Sequence, residues 1–209
     1  MADFRIEITG LRPLLMKNGR LADPMDPATK AFKAANKKPS RSRTDDDLIE
    51  IAHLEWLGSL YWDDEVGPYL PGDNALGMLV EAGKLQRQGK DIQRGLIIKH
   101  DVNPLSYRGS RTLDELWADE NFRLMKGIKQ GKNRIMRCRP IFRQWAVNFE
   151  GTTDPSIVDF DVLVDIVERA GRMVGLGDWR PRYGLFDAKV IDLSTEVKPA
   201  STRTRRKAG

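Results

Sequence analysis

The sequence predicts an α+β protein in which an antiparallel sheet carries helices on one face. Residues 4–9 (FRIEIT) alternate apolar and polar side chains, which is typical of a half-buried strand. Residues 160–174 repeat apolar side chains with the period of an amphipathic helix. Short strand-like runs separated by turn residues lie between these two segments. We therefore expect a single domain over residues 1–197.

After the first strand we expect a long basic loop insertion, at about residues 17–44. Turn-forming residues exclude a long regular element in its first part; they are Pro13, Gly19, Pro24 and Pro27. The insertion ends where Thr44 precedes three aspartates, because a capping residue with acids behind it is typical of a helix start. A helix of about four turns is predicted there, and Asp73 is a candidate cap for a second helix.

The second half of the chain is predicted to be richer in strands. The predicted elements are a strand at 95–102, a short helix near 113–117, a hairpin at 122–140 that turns near Gly131 to Asn133, a strand at 144–149, the amphipathic helix and a strand at 185–191. Taken together, the order is strand, helix, strands, helix, strand. This order is typical of a ferredoxin-like fold, an antiparallel sheet with its helices on one face.

Positive charge is concentrated in three parts of the chain, which has a net charge of +5 and a pI near 9.3. Residues 198–209 hold five basic and no acidic residues, so residues 1–197 are neutral overall. Within them, 27–44 hold six basic residues and 121–149 hold eight, both without an acid. Such segregation suits binding to a polyanion or to further copies of the chain. We expect 198–209 to be a disordered tail.

Composition favours a cytoplasmic globular protein, with 40% hydrophobic and 31% charged residues. No apolar run approaches the roughly 20 residues that span a bilayer. Charged residues near the N-terminus make a signal peptide an unfavourable interpretation. Cys138 is the only cysteine; we interpret it as a small core residue in a reducing compartment. No cofactor or metal motif is recognisable, so we expect neither.

Residues 174–186, VGLGDWRPRYGLF, form an unusual connection for which two interpretations remain. In the first, glycine N–H groups and arginines meet phosphate oxygens while an aromatic ring stacks on a base. The residues concerned are Gly175, Gly177, Trp179, Arg180, Arg182 and Tyr183. In the second, a glycine caps the preceding helix and the aromatic side chains close the core.

The hairpin is predicted to carry a basic face. Arg137 and Arg139 are two residues apart, so they lie on the same side of their strand and Cys138 on the other. We expect these arginines, with Lys132 and Arg134, to follow the phosphates of a nucleic-acid strand. Charge that protects an edge strand is the alternative. The basic insertion would reach the nucleic acid or a neighbouring copy through Lys37, Lys38, Arg41 and Arg43.

Signals for catalysis are few. Glu50 and His53 have the spacing of a di-iron helix, but such a site needs a second copy of the motif and more carboxylates. His100, followed by Asp101 at a predicted strand end, has the chemistry of a general acid or base but no recognisable partner. We therefore expect no catalytic residue.

Two glycine-containing motifs resemble those of the RAMP superfamily, which includes the backbone subunits of CRISPR effector complexes. PYLPGDNALGML, residues 68–79, is similar to the I-P-G-S-S-L-K-G segment that opens the first helix of that superfamily, although Ala75 and Leu76 depart from it. Residues 175–184 resemble its C-terminal glycine-rich loop. The chain also looks like phage and prophage proteins with a GDWRP-x-x-G loop.

The resemblance implies an RRM/RAMP-type ferredoxin-like fold that binds single-stranded RNA or DNA. Copies would stack along the strand as a homo-oligomer or filament, with or without other subunits. Some RAMP members cut RNA with an aspartate after the first strand, a region occupied here by Asp23 and Asp26. We expect a non-catalytic binding protein. The alternatives are a ribonuclease that uses Asp23, Asp26 or His100, and a phage structural or adaptor protein.

Overall fold

The computed structural model describes residues 1–131 and 133–194, with the backbone alone at 130, 133 and 134. Lys132 and the tail expected at 198–209 lie outside the described residues, and so does the side chain of Arg134.

The described residues form eleven strands and six α-helices. The strands are β1 (Ala2–Gly10), β2 (Leu14–Leu15), β3 (Trp62–Asp63), β4 (Gly67–Leu70), β5 (Leu96–Ile98), β6 (Asn103–Pro104), β7 (Ser106–Tyr107), β8 (Arg123–Gln130), β9 (Asn133–Phe142), β10 (Trp145–Thr153) and β11 (Phe186–Asp192). The helices are α1 (Pro27–Ala35), α2 (Asp45–Ser59), α3 (Gly72–Lys84), α4 (Gly89–Gly95), α5 (Leu113–Ala118) and α6 (Phe160–Arg169). No helix in this described part is both long and apolar enough to cross a bilayer.

The main sheet is antiparallel throughout, in the order β11–β1–β10–β5, and β7 pairs with the start of β10. Ile6 of the central strand lies opposite Phe149 on one side and Val190 on the other. Phe4, Ile6 and Ile8 are at most 1% exposed, because alternate residues of a strand share a face. Helices α3 and α6 contact each other and the edge strands β5 and β11. The protein is therefore an α+β fold with an antiparallel sheet.

The two long connections of the main sheet pack on each other. Strand β2, which follows β1, pairs with β9, and β9 pairs with all of β8. Helix α2 packs on β9, and α1 packs on α2. Strands β3, β4 and β6 form a small third sheet. This arrangement confirms the predicted hairpin and brings it against a helix from the first half of the chain.

Helix α2 begins where the sequence predicts it. The Asp47 amide donates to Thr44 Oγ1 over 3.3 Å, and the Thr44 amide donates to the Asp47 carboxylate over 2.7 Å. These reciprocal bonds satisfy two amides that a helix start leaves unpaired. Short helix α5 is also found where expected.

The expected loop insertion contains a helix, so the prediction of a loop throughout residues 17–44 is wrong. Asp26 accepts a hydrogen bond from the Ala28 amide as the cap of α1, and Pro27 occupies the first helical position. Proline suits that position because its missing N–H group has no helical partner there. The basic residues of the segment are compatible with an exposed loop, but Asp26 and Pro27 specify a helix start within it.

Two further boundaries differ from the predictions. Helix α3 begins at Gly72, so Asp73 lies in its first turn and does not cap it. The strand predicted over 95–102 is reduced to β5: α4 extends to Gly95 at one end, and residues 99–102 at the other end are not in a strand.

Candidate functional site

The loop after α6, residues 175–184, packs tightly against β2. Gly177 and Gly184 have φ angles of +81° and +76°, which glycine adopts without steric cost. A Cβ atom at Gly177 would lie 2.2 Å from the carbonyl oxygen of Leu15, and one at Gly184 would lie 1.7 Å from that of Leu176. These glycines are therefore required by packing within the protein.

The loop uses several of its amides internally. Gly175, at φ +80°, ends the helical segment and donates to the carbonyl of Ala170 over 2.7 Å. The further internal bonds run from the Leu176 amide to Gly184 O, from the Asp178 amide to Leu15 O and from the Gly184 amide to Pro13 O, each 2.9 Å long. The interpretation of Gly175 as a helix cap is confirmed, and these amides are not presented to an external phosphate.

The aromatic side chains of the loop lie at the surface beside the hairpin and only half-buried. Trp179 and Tyr183 have ring centroids 6.2 Å apart, and Lys126 Nζ of β8 lies 5.4 Å from the first ring and 5.9 Å from the second. The Arg182 guanidinium lies 6.0 Å from the Tyr183 ring. We call Lys126, Trp179, Arg182 and Tyr183 the aromatic cluster. The alternative in which these rings close the core does not match their exposure.

Trp179 has an unusual backbone conformation, with φ at +53°. A bulky residue in the left-handed region is a genuine outlier, and such strain costs on the order of 1–3 kcal/mol. Because the surrounding bonds hold the loop, the indole ring is kept at the surface despite this cost. Strained residues of this kind are concentrated at functional sites.

Beneath the aromatic cluster lies a buried network of charges centred on Glu55 of α2, which is 4% exposed. Its carboxylate accepts from Arg139 Nη1 over 2.8 Å, from Arg137 Nη1 over 3.1 Å and from the Cys138 amide over 2.8 Å. Arg139 Nε also donates to Asp178 of the loop over 3.3 Å. One arginine thus joins α2, β9 and the glycine loop.

This network corrects the expected role of Arg139. Arg137 and Arg139 do lie on the same face, as predicted, since both meet Glu55. Arg139 is only 5% exposed, however, because it pairs with Glu55 of α2 and with Asp178 of the loop, so it does not follow a phosphate chain at the surface. The pattern of β9 predicted the shared face correctly, but a lone glutamate within α2 gave no sign that Arg139 is buried.

Cys138 occupies the opposite face of β9 and is 1% exposed, as predicted for a core residue. Burial, and next the charge of Glu55, raise the pKa of its thiol to about 12. A thiol that stays protonated is a poor nucleophile and a poor metal ligand.

Several other predicted contacts to nucleic acid are engaged within the protein. Arg180 pairs with Glu81 of α3 over 2.9 Å and donates to the carbonyl of Gly175. Lys38 pairs with Asp47. Arg43 donates to the carbonyls of Lys38 and Asn36, each over 2.9 Å.

Lys37 and Arg41 of the basic insertion are exposed. The exposed basic residues of this segment and the aromatic cluster belong to different parts of the fold, the first beside α1 and the second between β8 and the loop. In the sequence, Lys126 is one of the eight basic residues in 121–149, and nothing in its spacing distinguishes it from the others.

A pocket of about 210 Å³ opens on another side of the glycine loop. It lies between Gly177, Asp178 and Arg180 of the loop, the first half of α3 and the ends of β2 and β4. The two glycine-containing motifs, at residues 68–79 and 175–184, therefore meet at one cavity. Tyr61 lines it and donates to the carbonyl of Lys17 over 3.2 Å. Burial raises the pKa of this phenol, so the hydroxyl stays neutral at physiological pH.

The candidate catalytic residues do not form one centre. Asp23 accepts from the Met25 amide, and Asp26 caps α1 and pairs with Arg20. Although desolvation acts to raise the pKa of Asp26, hydrogen bonds from Ala28 and Arg20 outweigh it and the pKa lies below its ordinary value. His100 lies beyond β5, with Nε2 3.8 Å from Glu150.

Within the described ranges 1–131 and 133–194, no group of three or more His, Cys, Asp or Glu side chains is placed to hold a metal ion. His53 stacks on Trp117 with centroids 4.6 Å apart, and burial lowers the pKa of its imidazole. It is a half-buried packing residue.

No protein-family model matches the chain. No curated protein sequence matches it significantly. The site therefore has to be interpreted from its own geometry.

Proposed function

We propose that the protein is a non-catalytic, single-stranded nucleic-acid-binding protein whose contact surface is the aromatic cluster. The observation that carries this proposal is Trp179, held at the surface in a strained conformation with a lysine ammonium group beside its ring. Successive bases of a single strand stack on such rings whatever their sequence, and adjacent cations neutralise phosphates. A duplex hides its base faces, so the surface selects single strands.

Charge around the cluster supports the same assignment. Lys126 and Arg182 belong to it, and Arg137 of β9, which pairs with Lys126 in the strand register and so shares its face, keeps 27% of its side chain exposed while it contacts Glu55. These side chains lie on the hairpin and loop that border Trp179. A strand that stacks on the ring would meet positive charge on the hairpin side.

The topology supports a ferredoxin-like, RAMP-type assignment of the fold. The main strands in chain order are β1, β5, β10 and β11, and their spatial order of fourth, first, third, second is that of a ferredoxin-like sheet. The superfamily resemblance also underlies the proposal that copies assemble along the strand in the cytoplasm, as phage- or prophage-encoded proteins. Assembly that needs no nucleic acid would instead favour the structural or adaptor alternative.

Replacing Trp179 by glycine tests the contact surface. Glycine adopts the left-handed conformation freely, so the melting temperature should not fall. Loss of one stacked base should weaken binding about tenfold, measured by fluorescence anisotropy with labelled single-stranded RNA and DNA. Unchanged affinity for both strands would contradict the proposed surface.

Lysine substitutions test the phosphate contacts independently. Lys126→Ala should reduce the slope of log affinity against log salt by about 0.7, the contribution of one single-strand phosphate. The matched control is Lys189→Ala, which removes an exposed lysine from β11 on the main sheet. Equal slopes for the two variants would contradict the assignment of Lys126.

A further inference from the structure

The pocket beside the loop exposes helix backbone at Gly77. This glycine lies inside α3 and lines the pocket, although a glycine inside a helix is destabilising relative to alanine. Apart from its chain neighbours and the adjoining backbone of α3, no protein atom lies within 4 Å of the position that a Cβ atom would take. Packing within the protein therefore does not require glycine here, whereas it does at Gly177 on the facing wall. The bare backbone leaves room for a group that enters from outside.

Apolar side chains form the base of the pocket. Met16, Leu70 and Met78 lie there and are at most 1% exposed, so they limit its depth. The volume of about 210 Å³ is below the roughly 300 Å³ at which pockets for complete drug-sized ligands begin. The pocket suits one flat ring that belongs to a larger molecule.

Arg180 and Tyr61 line the pocket but donate within the protein, so the polar groups that remain besides Lys17 are mainly hydrogen-bond acceptors. Asp73 and Asp178 contribute carboxylates and Asn74 contributes an amide. Asp178 Oδ2 already accepts from Arg139 Nε, which orients a carboxylate that has further lone pairs to offer. Two carboxylates disfavour a phosphate inside the pocket. They favour a ring edge that carries N–H donors.

We propose that this pocket takes one nucleobase with an exocyclic amino group, adenine, cytosine or guanine, from the strand bound on the aromatic cluster. The strand itself rests on the function proposed above. Amino groups donate to the carboxylates, whereas uracil and thymine present carbonyl oxygens where those bases have amino groups. Lys17 lines the same pocket and supplies positive charge for the adjoining phosphate. The pocket thereby adds a base preference to a surface that otherwise ignores sequence.

The first arm of the test measures fluorescence anisotropy with labelled 12-nucleotide strands of adenylate, cytidylate and uridylate. The wild-type protein should bind the first two at least about fivefold more tightly than uridylate, the weaker limit for one base contact. Gly77→Leu fills the pocket and should remove this preference. Gly19→Leu is the matched control, since Gly19 also has no atom within 4 Å and does not line the pocket. Melting temperatures of both variants verify folding.

The second arm does not depend on strand binding. Saturation-transfer NMR should show contact of the wild-type protein with the base protons of cytidine 5′-monophosphate, stronger than with uridine 5′-monophosphate, and Gly77→Leu should abolish it. This arm also separates a free nucleotide from a base within a strand, because only the latter gives the fivefold preference among 12-mers.

Each outcome distinguishes the two proposals. Equal wild-type affinity for all three strands, or a preference that survives in Gly77→Leu, overturns the base pocket and leaves strand binding intact. Failure of every 12-mer to bind contradicts the proposed function. In that case cytidine monophosphate contact that is lost in Gly77→Leu supports a nucleotide pocket by itself, and absence of contact overturns the pocket too.

Discussion

The two faces of β9 carry different residues, a buried cysteine on one face and two arginines on the other. Cys138 faces the core, and its neighbours Arg137 and Arg139 face Glu55. The pKa of the Cys138 thiol is raised to about 12 by burial, so the folded protein keeps a proton that the unfolded chain releases near pH 9. This difference makes the thiol a contributor to stability below pH 9.

That contribution should be lost as the pH rises from 9 toward 12. Between pH 9 and 10.5 the wild-type protein should lose up to about 2 kcal/mol of unfolding free energy relative to Cys138→Ala, because each pH unit of differential protonation is about 1.4 kcal/mol. Urea unfolding at several pH values measures the difference. Parallel pH profiles for the two proteins would show that burial does not perturb the thiol.

At the scale of elements, patterns of capping and periodicity were sufficient to predict α2, α5, α6 and the β8–β9 hairpin. Local sequence specifies those boundaries because caps and turns act over a few residues. Helix α1 was missed although Asp26 and Pro27 are a recognisable start, since its basic residues were interpreted as a binding loop. The interior position of Arg139 depends on a helix packed from far away along the chain, which a local pattern does not contain.

Two glycines of α3 provide a matched pair for testing this element. Gly77→Ala should raise the free energy of unfolding by about 1 kcal/mol, because alanine is the better helix former and its Cβ meets no atom. At Gly83 a Cβ atom would lie 2.9 Å from Ile92 Cγ1, so Gly83→Ala should destabilise by about 1–3 kcal/mol through overpacking. Thermal unfolding of both variants measures whether each substitution raises or lowers the free energy of unfolding. A destabilising effect of Gly77→Ala would mean that the helix backbone is not open there.

At the scale of the whole molecule, Arg139 connects segments that lie far apart in the chain. It joins Glu55, from the connection before α3, to Asp178, from the loop before β11. Removing one partner of a buried ion pair is costly because the other charge remains desolvated. This link could not be predicted from local patterns, since its three members share no local motif.

Arg139→Ala should therefore destabilise the protein by about 3–5 kcal/mol, measured by urea unfolding. Arg137→Ala is the matched control: its side chain is 27% exposed against 7% for Arg139, and solvent screens its pairing, so the loss should be near 1 kcal/mol or less. The double variant Glu55→Ala with Arg139→Ala should recover part of the loss, and strictly additive losses would argue against a coupled network.

The two residues of β2 have a mechanical consequence. On one side this strand is paired with β9 of the hairpin, and on the other its Leu15 carbonyl is held by the Asp178 amide of the glycine loop. The pairing with β9 lies at the base of the hairpin, at Ile141 and Phe142, so a displacement there would be passed through β2 to the loop that presents Trp179. A force on the loop would reach the base of the hairpin through the same bonds.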